Sequence, residues 1–447
     1  MRKLAVALVT IFTGCMIGDP FDSNENSSGV RQDTVLLQWN DIAVQTIGAT
    51  APFPSTRAMA AVQLAVFEGV NAITHRYKPY FGTVTAAKGA NIDAAIVVAA
   101  HDTLVFLFPA AQTSLDSQRD TSLAAIPDGQ SKEDGKAAGA AAASAVIAFR
   151  TGDGAAPPQF FTPPNTNPYE WAQTPSCAAS GNQGVFFHWQ FVKPFGVQSS
   201  SQFRAPAPPS LTSFTYTNSF NEVKAVGGLN SPYRPQDRSD VAKFYAAQPP
   251  HRGWNQIAHQ LILERNDEVT RTARILALLN MSLSDAHITV FESKYHYQTW
   301  RPETGIARAA EDGNSKTSPG EYAGGGTTPF ITTPCFPSYP SAHGSGAGVG
   351  KEVLGHFYGC RNHNITATDP GAPTITLHYT DLRQVTRDVS DARVFGGIHW
   401  RYDQVEGEDM GEDIGEWNVN TLLRPIFSSS PTTTSSGSSG DFSFDDC

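Results

Sequence analysis

The sequence predicts an all-α protein. Three observations carry that expectation: apolar residues recur at helical spacing over several long stretches, alternating strand patterns are few, and no internal repeat is present. The 38 Gly and 30 Pro among 447 residues imply much loop between the helices.

In chain order, residues 34–47 place Val35, Leu36, Trp39, Ile42, Ala43 and Ile47 close to the i, i+3, i+4, i+7 pattern of a one-faced helix. Pro54-Ser55-Thr56 reads as the cap of a second helix over residues 57–73. Residues 92–108 are apolar almost all round, which predicts a buried helix. Residues 131–149 form an Ala-rich helix with its acidic residues early, stopped by Arg150-Thr-Gly-Asp-Gly. The stretch 155–209 is rich in Pro, Asn, Ser and Phe without a period, and reads as a long surface loop of the kind that carries function or moves. Helical signal returns over 240–248, 254–263 and 268–300, follows His343 through 349–357, and ends with a helix from near His399 to 423. The expected organisation is a polar linker (16–33), one helical domain (34–427) with its chemistry in 240–427, and a disordered Ser/Thr/Gly-rich tail (428–447).

The net charge of −10 argues against nucleic acid and anionic membrane surfaces as partners, and makes a local gathering of basic side chains more informative. The start, Met1-Arg2-Lys3 followed by the apolar run 4–12 and Thr13-Gly14-Cys15, is too short to span a membrane and reads as an export signal. Gly14-Cys15 resembles a bacterial lipoprotein box with Cys15 as lipid acceptor, although Phe12 stands where Leu is usual. The expected destination is the periplasm, the outer surface or the medium. Export permits disulfides; of the three pairings open to Cys177, Cys335, Cys360 and Cys447, Cys335–Cys360 is preferred because those two flank the central motif.

Three phrases carry chemistry. In the first, Lys294 and Arg301 are seven apart, which on one helix returns two long cations to nearly the same face, with Pro302 ending the helix and Trp300 alongside. In the second, Pro340-Ser341-Ala342-His343-Gly344, small residues open an apolar helix. There the Ser341 hydroxyl and backbone N–H groups can meet an oxyanion, with His343 at the rim to move a proton. The third, Ala392-Arg393-Val-Phe-Gly-Gly-Ile-His399-Trp-Arg-Tyr-Asp403, supplies a third cation, a second histidine, and a carboxylate four residues on to orient it. Taken singly, each has a plain alternative: solvated charges, a capping serine, a histidine satisfied in the core.

In this order, K-x6-R-P, P-S-x-H and A-R-x5-H-x3-D resemble the active-site signature shared by vanadium-dependent haloperoxidases and the type 2 phosphatidic acid phosphatase superfamily. The phrases 57–72 and 221–224 are similar to the haloperoxidase branch. The resemblance implies helical bundles of the vanadium haloperoxidase/acid phosphatase type, with long surface loops. It implies that Lys294, Arg301, Arg393, Ser341 and the Ala342 N–H bind the oxygens of vanadate, with His399 bonded to vanadium and His343 as acid–base group. Ala342 stands where many members have Gly, and Ala392 where many have Ser. Phe336 occupies a place that in chloride-oxidising members resembles Phe and in bromide-preferring members is often His.

The implied reaction is oxidation of bromide, iodide or chloride by hydrogen peroxide to hypohalous acid, which halogenates an organic acceptor. His343 carries protons, Lys294 polarises the bound oxygens, and vanadium acts as a Lewis acid, so neither haem nor flavin is needed. The same residues could instead serve an exported acid phosphatase, with His399 the nucleophile of a phosphohistidine and His343 the proton donor to the leaving alcohol. A third reading is an exported phosphate- or sulfate-binding lipoprotein. The absence of membrane spans and the long helical amino-terminal half favour the peroxidase.

Overall fold

The computed structural model describes residues 34–48, 50–164 and 166–426; the segments expected to be an export signal, a polar linker and a tail lie outside the described residues. Helices α1 (Thr34–Ile47), α2 (Pro52–Thr74), α3 (Ile92–Leu107), α4 (Gln112–Ala124) and α5 (Gln130–Arg150) make a first bundle. The expected cap of α2 is corrected. Pro52 opens the helix, where the missing N–H costs nothing, and the Ser55 and Thr56 hydroxyls bond back to the Ala51 and Phe53 carbonyls. The long loop 155–209 follows as expected, with two short 3₁₀ turns in it.

The second half contains α6 (Phe214–Val226), α7 (Gln236–Ala247), α8 (Pro250–Arg265), α9 (Val269–Tyr297) and α10 (Pro302–Ala307). It continues through α11 (Ala342–Tyr358), the antiparallel hairpin β1 (Arg361–Thr368) and β2 (Thr376–Asp381), α12 (Leu382–Phe395) and α13 (Arg401–Thr421). Helices α4, α6, α10 and α12 and the hairpin are additions to the elements read from the sequence. Among the described residues no helix is long and apolar enough to cross a membrane.

Helix α9 is the shared spine: buried along nearly its whole length, it packs on α2 of the first bundle and on α11 and α13 of the second. A helix buried all round cannot be one-faced, and its run Ile275 to Leu279 is apolar on every side. Helices α11 and α13 meet through glycines. A Cβ on Gly348 would stand 2.1 Å from the Glu408 carbonyl oxygen, and one on Gly411 2.1 Å from that of Ser345. Such contacts let two backbones approach to a distance that no side chain permits. The seam runs to the helix starts, where the Ser341 N–H donates to the Asp403 carbonyl at 2.8 Å.

The preferred pairing of cysteines is overturned: Cys335 is bonded to Cys177, in the long loop, and not to Cys360. Sequence proximity to the motif favoured Cys360, but the long loop folds back across the chain 158 residues later and brings Cys177 to the spot.

Because the backbones on both sides of the seam are fixed by their own helices, Gly411→Ala is expected to cost about 1–3 kcal/mol through overpacking. A thermal or urea unfolding curve checks this; an unchanged midpoint would show that the seam can open.

Candidate active site

Lys294 lies in the last turn of α9, but Arg301 is not on that helix. The single-helix expectation is corrected. Gln298 takes a left-handed conformation (φ 50°) that closes α9, and Pro302 opens α10 with Arg301 as its N-cap residue. The two cations converge all the same, because the 298–301 turn folds against the segment 336–340. The Lys294 ammonium donates to the carbonyls of Pro337 (3.0 Å), Ser338 (2.6 Å) and Pro340 (2.6 Å). Arg301 donates through Nε to the Phe336 carbonyl (2.9 Å) and through Nη1 to the Ile398 carbonyl (2.9 Å).

Ser341 is the N-cap of α11, its Oγ accepting from the Gly344 N–H at 3.1 Å. That bond uses a lone pair and leaves the hydroxyl proton to donate. Ala342 begins the helix, so its N–H is among those without an intrahelical acceptor. His343 follows, half-buried, at a narrow cavity lined by Tyr245, Gln248, Pro250, Trp254 and Val389.

Arg393 projects from the last turn of α12. Gly397, at φ +78°, then turns the chain back so tightly that a Cβ would stand 2.2 Å from the Gly227 carbonyl oxygen. This turn delivers His399, with α13 starting two residues later than expected, at Arg401. His399 Nδ1 meets Asp403 Oδ2 at 2.8 Å, and Nε2 meets Arg301 Nη1 at 3.0 Å. A guanidinium can only donate, so Nε2 is the acceptor and Nδ1 carries the proton toward Asp403. The same carboxylate oxygen takes the Ser338 hydroxyl and the Trp400 N–H. The lone pair that a ligand or nucleophile needs is therefore set on Nε2 by its partners.

The electrostatics ask for an anion. Lys294, Arg301 and Arg393 are buried, at 0%, 0% and 5% exposure. Burial depresses all three: Lys294 well below its ordinary range, with Arg301 adding to the effect, Arg301 to about 9 and Arg393 to about 10. Burial, then the neighbouring cations, keeps His399 neutral; His343 is lowered by burial and then by Arg393. Asp403 is pushed up to about 6 by burial, against the Ser338 hydrogen bond and the two cations. Arg301 Nη2 and Arg393 Nε are buried with no partner. Buried donors are normally satisfied, and buried charge is normally paired. A donor set of three cations, a hydroxyl and helix-start N–H groups fits a multiply charged oxyanion such as vanadate or phosphate, the reverse of what a bare metal cation needs.

Phe336 floors the cluster, its ring centroid 5.3 Å from Lys294 Nζ and 4.9 Å from the Arg301 guanidinium carbon, backed by Phe53 and Phe291. Trp300 is buried beside it, meeting Tyr169 edge-on and accepting from Trp400 Nε1 through its carbonyl. All ten residues singled out in the sequence thus lie in or against one cluster. Missed were Ser338 and the carbonyls of 336–340, which hold Lys294 and Arg301. Their signal was the spacing of Pro337 and Pro340, which keeps backbone groups out of regular secondary structure.

Residues 274–427 match the family model of the VCPO second helical-bundle domain. The chain superposes on the crystal structure of the first bacterial vanadium-dependent iodoperoxidase with a TM-score of 0.72 at 22% identity, covering 88% of this chain and 98% of that one. This is the vanadium haloperoxidase fold. The holo form of a bacterial vanadium-dependent chloroperoxidase has it too, with a TM-score of 0.66 at 16% identity over 88% of this chain and 98% of that one. In sequence, the chain is 24% identical over 288 residues to vanadium chloroperoxidase of Curvularia inaequalis. That match spans 50% of this chain and 46% of the relative, so the chain covers about half the length of the curated protein. The expected family resemblance and the all-α helical-bundle class are borne out.

Asp403→Asn keeps an acceptor oxygen but removes the negative charge that holds the proton on His399 Nδ1, and about 10- to 100-fold weaker orthovanadate binding is expected by calorimetry. The Lys294 pKa is depressed when the site is free and rises when an anion pairs with it. Affinity is then full below the free-state pKa and falls as pH rises through it, with proton uptake on binding. Titrations in two buffers of different ionisation enthalpy read that uptake directly; proton release on the alkaline side would contradict it.

Proposed function

We propose that this protein is a vanadate-dependent haloperoxidase that oxidises halide with hydrogen peroxide to hypohalous acid, which then halogenates organic acceptors. The observation that carries the reading is the set of unpartnered guanidinium N–H groups of Arg301 and Arg393, buried around the unprotonated Nε2 of His399. Arg301, Arg393, Ser341 and the Ala342 N–H would hold the oxygens of vanadate, Lys294 would neutralise their charge, and His399 Nε2 would hold its vanadium. Bound there, the group supplies Lewis-acid activation of peroxide without haem or flavin.

The chain's own residues do the rest. Forming HOX and water from halide and hydrogen peroxide consumes one proton. His343, half-buried at a narrow opening and held neutral by burial and Arg393, can take a proton from the incoming peroxide and return it. Lys294, fixed by three carbonyls, aims its charge where negative charge develops on oxygen. Phe336 and the rings behind it keep water from one side of the cluster, where a weakly hydrated halide is favoured over hydroxide. On the amino-terminal pattern, the protein acts outside the cytoplasm.

A phosphatase reading keeps one observation in its favour: the Asp403-supported lone pair of His399 suits a nucleophile as well as a ligand. Protein freed of oxyanion, then given vanadate, peroxide and bromide or iodide, is expected to oxidise halide only with vanadate present, and to hydrolyse p-nitrophenyl phosphate poorly without it. Ester hydrolysis with no vanadate-dependent halide oxidation would falsify the proposal. His343→Ala should bind vanadate yet lose about 10²- to 10⁴-fold in turnover. An anion-binding protein without catalysis would show no turnover to lose.

A further inference from the structure

The cations are held by irregular chain. Residues 298–301 lie between α9 and α10 and 333–340 between α10 and α11, outside regular secondary structure. Their carbonyls nevertheless take every hydrogen bond of the Lys294 ammonium and the Nε of Arg301. Backbone without a helix or sheet to fix it needs some other reference to hold a position within a few tenths of an ångström.

Part of the long loop supplies that reference. The Trp171 N–H donates to the Gln298 carbonyl (2.6 Å) and the Trp300 N–H to the Tyr169 carbonyl (2.8 Å), so the loop pairs strand-like with the turn that carries Arg301. That turn passes the reference on: the Ser338 N–H donates to the Thr299 carbonyl (3.0 Å) and the Tyr339 N–H to Thr299 Oγ1 (3.1 Å). Further along the same loop, the Val185 N–H donates to the Cys335 carbonyl (3.0 Å), while the Val185 carbonyl takes the Tyr295 hydroxyl, one residue after Lys294. Between these two attachments Ser176 Oγ donates to the Thr333 carbonyl, and Cys177 is bonded to Cys335, immediately before Phe336. Both sulfurs are buried.

We propose that residues 169–185 are a brace that holds the collar of carbonyls in its anion-ready geometry. In this inference, which rests on the oxyanion reading of the site, Cys177 and Cys335 are positioning residues fastening the brace. They touch neither substrate nor oxyanion and act through the 333–340 segment. Without the fastening, the two hydrogen-bonded attachments remain, so the chain stays folded while the carbonyls around Lys294 and Arg301 sample wider positions.

The test uses full-length protein freed of oxyanion and titrated calorimetrically with orthovanadate and with inorganic phosphate. Cys177→Ser is expected to keep its far-ultraviolet circular dichroism and to bind both anions about tenfold or more weakly, in the range seen when outer supports of a site are removed. Loss of the disulfide also lowers stability, so Val146→Ala, in the buried face of α5, is the comparison: it should lower Tm without moving either affinity. Ser176→Ala, which removes one bond of the brace and leaves the disulfide, should weaken binding about threefold and serves if Cys177→Ser does not fold. Wild-type affinity in Ser176→Ala and in folded Cys177→Ser overturns the brace, as does an equal loss in Val146→Ala. Wild-type protein that binds neither anion overturns the oxyanion reading itself, and the brace with it.

Discussion

Burying three cations within reach of one another is the constraint on which the structure turns. Desolvation of Lys294, Arg301 and Arg393 costs several kcal/mol for each ion, and their mutual repulsion adds to it. Asp403 offsets only part, because the same burial raises its own pKa to about 6. The fold meets this cost in two ways. Backbone carbonyls of 336–340, Ile398 and Tyr245 give each cation a partial negative charge without a full counter-ion. The remainder is left unpaid on Arg301 Nη2 and Arg393 Nε, and those unpartnered donors are what an oxyanion would satisfy.

The scaffold follows from that requirement. Carbonyls that face a cation cannot also be engaged in a helix or sheet ladder, so the cluster sits where chain leaves regular structure: after α9, before α11, between α12 and α13, and at the last turn of α7, which offers the Tyr245 carbonyl. Such ends are mobile unless their helices are locked. The glycine contacts of α11 with α13 do this, bringing Ser341 and Asp403 into backbone contact, and α9 ties them to the first bundle. The amino-terminal half, which contributes none of the charged residues of the cluster, thus holds the spine from which Lys294 projects.

How much of this could be read from the sequence depended on which physical signal each part leaves. Helices with one apolar face or none polar, such as α1, α3 and α5, announced themselves through spacing. Helix α12 did not, though Leu382, Val385 and Val389 are buried at helical intervals, because the same face also carries Arg393, a charge where periodicity expects a core residue. The hairpin hid for a related reason: His363 faces inward and bonds the Gly359 carbonyl, so a polar residue occupies an apolar slot. The ten site residues were legible as types at fixed spacing. Their geometry was not: the seven-residue step from Lys294 to Arg301 suggested one helix face, whereas the left-handed Gln298 breaks the helix and convergence is achieved by tertiary pairing.

The same reasoning explains why the wrong cysteine was favoured. Proximity in sequence estimates contact only for chain whose path is local, and the collar is held from outside its own neighbourhood. A loop that must reach both the 298–301 turn and the 333–336 segment, on either side of the cations, cannot be short. Within the stretch 155–209, backbone groups of Tyr169, Trp171 and Val185 pair with those two segments and not with a helix of their own. A segment serving as a partner for irregular backbone has to be irregular itself, and composition alone renders it as featureless loop. The part of the chain with the least pattern is therefore tied most directly to the part with the most chemistry.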